Sequence, residues 1–234
     1  MNSRDVPLGF LAHPDTGPHP GVVIVHDVWG LGELYREFAR RLAHAGFAAL
    51  ALDLYRREVK IENAGEWMRN LSDPAILNDV QSAIDFLRGD PAVAGGRVGV
   101  AGFCIGGTYA VLAACSCRDL AAAVSFYGIL SYQHGILSSP GLDPAKKPRD
   151  PLHAVGDLRC PLLAIFGESD EFIPLEDVKQ LEARLTQGVP LSEVQVYPGC
   201  GHAFLNETRA QAFRPESAAD AWRRMLNWFG RSLR

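Results

Sequence analysis

The sequence lacks the features that would place a protein in a membrane or on a nucleic acid. Its first residues contain no apolar core of a signal peptide, and apolar runs such as residues 47–52 are far too short to span a bilayer. The net charge of -4 provides no basic surface for a polyanion. We therefore expect a cytoplasmic protein that binds neither nucleic acid nor a membrane.

The sequence contains few cysteines, and their spacing does not indicate pairs. The five cysteines form an odd set with no C-x-x-C pair, which favours free thiols in a reducing compartment over a disulfide framework. Cys115 and Cys117 lie two residues apart, but neither a second pair nor a nearby histidine cluster completes a zinc site. We expect no bound metal.

The remaining patterns predict an α/β protein. Continuous β-branched and apolar runs, such as residues 21–26 and 160–167, are typical of buried parallel strands. They alternate with helical periodicity, for example over residues 34–45 and 218–229. No repeat or linker divides the 234 residues, and residues 131–150 lack any period and predict a long loop or lid. We expect one domain, 1–234, with a doubly wound, mostly parallel sheet and helices on both faces.

The most informative stretch is residues 97–108, which predicts a strand, a tight turn and the first turn of a helix. Cys104 stands at the apex, in a Gly-Phe-Cys-Ile-Gly segment that matches the G-x-S-x-G nucleophile elbow with cysteine in the serine position. The positive end of the following helix would favour the thiolate. The alternative is a glycine-rich turn that merely holds a buried cysteine.

Two further strand ends supply the partners that a cysteine nucleophile requires. Asp170 follows the strand at residues 160–167, and His202 follows the last strand, at residues 193–197. Nucleophile, acid and histidine stand in the chain order of α/β-hydrolases. A histidine can take the proton of Cys104, and a carboxylate on its other ring nitrogen fixes the tautomer. The three residues together predict a catalytic triad.

The segments around these residues, 102–107, 167–174 and 201–204, resemble the motifs of the dienelactone hydrolase family. The resemblance extends over nearly the whole chain. The resemblance implies an α/β-hydrolase fold and hydrolysis of a small-molecule lactone or carboxylic ester, without a cofactor, through a thioester intermediate. It also implies an oxyanion hole formed by the backbone N–H groups of Val28 and Ile105.

Two positions depart from the pattern of this family. Asp27 stands where the family carries a glutamate that accepts a proton from the nucleophile, so we expect Asp27 to be an accessory residue or to cap its own loop. Asn206 stands where members that act on anionic lactones carry an arginine. We therefore expect substrates that are neutral or less acidic, unless another arginine replaces the missing one. The sequence offers Arg56, Arg57 or Arg69 for this role.

Aromatic side chains near these segments are candidates for the substrate pocket, with core packing as the alternative for each. Together with Asn206, the predicted substrate-binding residues are Trp29, Tyr55, Tyr127 and Phe204, and Trp67 is a further candidate wall. Two other functions remain open at this point, a non-catalytic binding module with a hydrolase fold and a thiol-dependent acyltransferase. We expect a monomer or a homodimer.

Overall fold

The computed structural model describes residues 1–56, 59–188 and 191–233 and contains one sheet of eight strands in the order β1-β2-β4-β3-β5-β6-β7-β8. The strands are β1 (Asn2–Val6), β2 (Gly9–His13), β3 (His19–Val25), β4 (Ala48–Leu52), β5 (Val93–Phe103), β6 (Leu120–Phe126), β7 (Leu162–Gly167) and β8 (Glu193–Tyr197). Strand β2 pairs antiparallel with β1 and β4, and the pairs from β4 through β3 to β8 are parallel.

The helices connect these strands across the sheet. They are α1 (Glu33–His44), α2 (Ala64–Asn70), α3 (Asp73–Gly89), α4 (Ile105–Ser116), α5 (Pro151–Ala154), α6 (Leu175–Gly188) and α7 (Pro215–Ser232), with short 3-10 helices at Gly135–Leu137 and Val155–Asp157. None of the helices within the described ranges is long and apolar enough to cross a membrane.

Both faces of the sheet are covered by helices. Adjacent residues of β5 point to opposite faces, because side chains alternate along a strand. A Cβ atom at Gly99 would lie 2.6 Å from Phe229 of α7. Val98, the residue before Gly99, therefore faces the other side of the sheet, as does its partner in β3, Gly21. A Cβ atom at Gly21 would lie 3.5 Å from Leu87 of α3. The predicted doubly wound, mostly parallel α/β fold is thus confirmed.

Two elements differ from the sequence prediction. Strand β1 was not predicted, because its residues are exposed at the edge of the sheet and show no apolar alternation. Helix α2 was not predicted either, since seven residues are too few to show a helical period. It begins where the side chain of Asn63 accepts a hydrogen bond from the Glu66 amide. Helix α2 matters because its residues Ala64 and Met68 line the same cavity as Cys104.

Residues 131–150 form the predicted long loop, but a buried ion pair anchors this loop to the start of α3. The Lys147 ammonium lies 2.6 Å from the Asp73 carboxylate, and both side chains are buried. The Tyr132 hydroxyl donates to the other oxygen of Asp73 at 2.8 Å, and the Tyr132 amide donates to Asp150. The loop is therefore fixed at both ends where it passes over the sheet.

Candidate active site

Cys104 lies at the sharp turn between β5 and α4, in a backbone conformation that is unfavourable for any residue except glycine. Its φ is 57° and its ψ is -121°. Two glycines make this turn possible. A Cβ atom at Gly102 would lie 1.9 Å from the carbonyl oxygen of Gly106, and one at Gly106 would lie 2.3 Å from the carbonyl oxygen of Val25. The backbone therefore holds the side chain of Cys104 at the carboxyl edge of the sheet.

The other two residues of the predicted triad meet Cys104 there. The Nδ1 atom of His202 lies 2.8 Å from Oδ2 of Asp170, and both side chains are largely buried. The second carboxylate oxygen of Asp170 accepts a hydrogen bond from the Phe172 amide at 2.9 Å, which fixes the carboxylate. His202 and Cys104 line the same cavity. Because Nδ1 is engaged by Asp170, Nε2 is the ring nitrogen that remains available to Cys104.

The surroundings of His202 favour the protonated form of its imidazole. Burial alone would lower the pKa of His202, but the interaction with Cys104 and the hydrogen bond to Asp170 reverse this effect and raise the pKa to about 10. The raised pKa favours the protonated imidazole at neutral pH.

Two backbone amides close to Cys104 have no acceptor among the described residues. Ile105 is the first residue of α4, where an N–H group has no partner within the helix. The amides of Val28 and Ile105 donate no hydrogen bond to any residue that the structure describes. Val28 lines the cavity that also contains Cys104. These two N–H groups are available to bind a negatively charged oxygen, as expected for an oxyanion hole.

Asp27 also lines this cavity and caps its own loop. Its Oδ1 atom accepts a hydrogen bond from the Trp29 amide at 2.9 Å, and its own amide donates to the Tyr35 hydroxyl. The capping role considered from the sequence is therefore present in the structure. The accessory role toward the thiol stays a prediction.

The cavity itself is small, about 110 Å³, and largely apolar. Three of the predicted substrate-binding residues line it, namely Trp29, Tyr127 and Asn206. The Asn206 side chain accepts hydrogen bonds from the amide and hydroxyl of Thr208. Tyr127 lines the cavity from a strained backbone conformation with a φ of 42°.

Two other predicted residues lie behind the wall of the cavity. Phe204 is fully buried and packs against Tyr127, with a ring separation of 5.8 Å. The hydroxyl of Tyr55 donates to the Val28 carbonyl at 2.9 Å, and its ring contacts Trp67 edge to face. Since neither Tyr55 nor Phe204 lines the cavity, these residues support the loops of the site rather than contacting a substrate within it.

Several residues of the cavity were not predicted from the sequence. Apolar side chains from α2, from the loop at residues 131–150 and from the ends of β6 and β7 close it, namely Ala64, Met68, Ile129, Ile136 and Phe172. Phe172 could have been found, because it follows Asp170 by two residues. The others come from segments without a recognisable period.

Arg209 was missed as well, and it is the arginine that lines the cavity. Of the three arginines considered from the sequence, Arg56 forms an ion pair with Asp79, and Arg69 donates to the carbonyl of Ile136. Arg57 lies outside the described residues. Within the described ranges, no group of three or more histidine, cysteine or acidic residues could hold a metal ion.

Known proteins resemble this chain in sequence and in fold. The sequence pattern of the dienelactone hydrolase family matches residues 8–233. A "Probable 2-oxo-3-(5-oxofuran-2-ylidene)propanoate lactonase" from Bradyrhizobium sp is 34% identical over 225 residues, which cover 94% of this chain and 87% of that protein. A "Putative carboxymethylenebutenolidase" from Yersinia pestis is 33% identical over 228 residues, with coverages of 94% and 82%.

A solved structure is similar over the whole length. The crystal structure described as a "Putative Dienelactone Hydrolase" from Klebsiella pneumoniae superposes with a TM-score of 0.85 at 30% sequence identity, covering 98% of this chain and 97% of that one. The chain therefore belongs to the dienelactone hydrolase family, and it is a hydrolase of the α/β-hydrolase fold that acts on ester bonds.

Proposed function

We propose that the protein hydrolyses small carboxylic esters or lactones through a thioester formed on Cys104. The observation that carries this proposal is the position of the His202 ring, which binds the carboxylate of Asp170 through Nδ1 and lines the same cavity as Cys104. Two free backbone amides support it, that of Val28, which lines the same cavity, and that of Ile105, which follows Cys104 in the chain. Together they provide the nucleophile, the base and the oxyanion stabilisation that acyl transfer requires.

In the first half of the reaction, the Cys104 thiolate adds to the carbonyl carbon of the substrate. The carbonyl oxygen becomes an oxyanion, which accepts hydrogen bonds from the amides of Val28 and Ile105. When the tetrahedral intermediate collapses, the C–O bond to the leaving group breaks. The His202 imidazolium donates its Nε2 proton to the departing alkoxide, which leaves a thioester on Cys104 and a neutral imidazole.

In the second half, water replaces the alcohol. The Nε2 atom of His202 takes a proton from water as its oxygen adds to the thioester carbonyl. The same two amides bind the second oxyanion, and collapse expels the Cys104 thiolate and releases the acid. The imidazolium and the thiolate are restored. Asp170 accepts the Nδ1 proton in a hydrogen bond throughout and stabilises the positive charge of the ring.

The cavity limits the size of the group that the enzyme accepts. Its volume of about 110 Å³ is below the roughly 300 to 1,000 Å³ of sites for drug-sized ligands. The apolar walls around Met68, Ile136 and Phe172 favour a short acyl chain or a small lactone ring. We therefore propose short-chain esters and five-membered lactones as the substrate class.

A panel of esters and lactones tests this function. The parent protein and Cys104→Ala are assayed with acyl chains of two to eight carbons and with lactones that carry or lack a carboxylate. We expect turnover to fall with acyl length and to vanish in Cys104→Ala. Mass spectrometry of the quenched parent protein should find the acyl group on Cys104. Full activity in Cys104→Ala, or an acyl group on a different residue, would refute the proposal.

A further inference from the structure

His26 is a fully buried residue at the end of β3, and its two ring nitrogens have different partners. Its Nε2 atom accepts a hydrogen bond from the Leu54 amide at 3.3 Å. An amide can only donate, so Nε2 carries no proton, and the proton of the neutral ring lies on Nδ1. The Nδ1 atom lies 2.6 Å from the carbonyl oxygen of Asp27 and therefore donates to it. Burial lowers the pKa of His26, which keeps the ring in this neutral form.

The carbonyl that His26 holds belongs to the same peptide group as the Val28 amide. In a planar trans peptide the C=O and N–H bonds point in opposite directions. A hydrogen bond that draws the Asp27 carbonyl toward the buried ring of His26 therefore turns the Val28 N–H away from that ring. Val28 lines the cavity that contains Cys104. The direction of this N–H is thus set by a residue that does not line the cavity.

Other bonds to this peptide are weaker or act on its neighbour. The Asp27 carbonyl also accepts from the Gly30 amide, but at 3.3 Å. The Tyr55 hydroxyl donates to the Val28 carbonyl at 2.9 Å and so fixes the following peptide plane. Of the hydrogen bonds to the Asp27–Val28 peptide, which carries the Val28 N–H, the one from His26 Nδ1 to the Asp27 carbonyl is the shortest.

We infer that His26 is a positioning residue for the oxyanion hole, which acts by fixing the Asp27–Val28 peptide through its Nδ1 proton. This inference rests on the proposed function, because it requires that Val28 stabilises an oxyanion. The hydrogen bond from the Leu54 amide to Nε2 selects the tautomer of His26 that carries its proton on Nδ1.

Two substitutions separate these bonds. In His26→Asn the amide nitrogen replaces Nδ1 and can still donate to the Asp27 carbonyl, whereas the bond to Leu54 is lost. In His26→Gln the side chain can reach Leu54, but it has no donor at the position of Nδ1. If His26 served only to join the ends of β3 and β4 through its bond to Leu54, His26→Gln would retain more activity than His26→Asn.

The variants are compared in steady-state kinetics and in binding of a trifluoromethyl ketone, which forms a tetrahedral oxyanion with a thiolate. We expect His26→Gln to lower kcat by about 30- to 100-fold with little change in KM, somewhat less than the loss of a complete oxyanion-hole donor. The affinity for the trifluoromethyl ketone should fall by a similar factor. His26→Asn should stay within about 3-fold of the parent in both measurements, since it keeps the essential bond.

Alkylation of Cys104 by iodoacetamide is the control, because displacement of iodide creates no oxyanion and should proceed at the parent rate in both variants. His26→Leu, which also has no donor for the Asp27 carbonyl, should show the same signature, and it provides the test if His26→Gln does not fold. Equal losses in His26→Gln and His26→Asn, or unchanged ketone affinity in His26→Gln, would overturn the inference. Activity that persists in Cys104→Ala would instead refute the proposed function itself.

Discussion

The guanidinium group of Arg209 lies over the indole ring of Trp29, with its central carbon 5.7 Å from the ring centroid. Both residues line the cavity, and both are exposed to solvent. The guanidinium forms no ion pair with any residue in the described ranges. A cation that is held by an aromatic face keeps its N–H groups available for an anion. The positive charge that Asn206 does not provide is therefore present three residues later.

This arrangement predicts a charge-dependent effect of Arg209→Gln. For esters and lactones that carry a carboxylate, we expect kcat/KM to fall about 5-fold, since an exposed ion pair contributes about 1 kcal/mol or less. For uncharged substrates of the same size, kcat/KM should stay unchanged. The measurement is kcat/KM for matched neutral and anionic substrates at low salt. Equal losses for both would contradict this prediction, and Arg214→Gln, at an exposed arginine that does not line the cavity, is the control.

Replacing Asp170 by asparagine should reduce kcat by about 10³- to 10⁴-fold, as expected when the histidine of a triad loses the carboxylate that fixes its tautomer. An amide at this position can donate to Nδ1, which would leave the proton on Nε2 and prevent that nitrogen from accepting one. The matched control is Glu171→Gln, which removes an exposed carboxylate from the same loop. The prediction is wrong if Asp170→Asn and Glu171→Gln have similar kcat values.

The cysteines should differ in their reaction with iodoacetamide. Burial raises the pKa of Cys115 and of Cys160 to about 12, and it raises the pKa of Cys117 to about 11. These three thiols stay protonated and unreactive in the folded protein at pH 8. Peptide mapping after a short exposure should find the label on Cys104, at a rate that falls in His202→Ala. Equal labelling of all cysteines in the folded protein would contradict the thiolate at Cys104.

The buried ion pair between Asp73 and Lys147 should be strongly coupled in unfolding experiments. We expect Asp73→Asn and Lys147→Met each to reduce the free energy of unfolding by about 3 kcal/mol or more, because each leaves a buried charge without its partner. The double variant should be more stable than the sum of the single effects predicts, since it buries no charge. Urea denaturation of the four proteins measures this coupling. Additive losses would show that the pair is not the anchor of residues 131–150.

Several parts of the site could be predicted from the sequence because they depend on local chemistry. A strained turn that places a side chain at the end of a strand requires glycines at Gly102 and Gly106, and these are visible in the sequence. The positions of Asp170 and His202 after parallel strands follow from the rule that parallel strands end at one edge of a sheet. The walls of the cavity follow no such rule. Met68 and Ile136 come from segments whose own residues show no period.

The positions of the aromatic side chains could not be predicted from the sequence either. Tyr55 and Phe204 stand near the predicted site in the sequence, yet their side chains lie behind the wall of the cavity. The direction of a side chain in a loop depends on the packing of the residues around it, which sequence spacing does not record. Arg209 was overlooked for the same reason, because it reaches the cavity only through the turn that follows Asn206.

The sequence by itself determined the class of fold, the family and the chemical types of the three residues at the strand ends, because strand burial, glycine positions and residue order are properties of the chain. Only the tertiary structure decided which side chains enclose the cavity, where its positive charge lies and which hydrogen bonds orient the loop at Val28. These depend on contacts between segments far apart in the chain, whose geometry is set by packing and by the planarity of the peptide group.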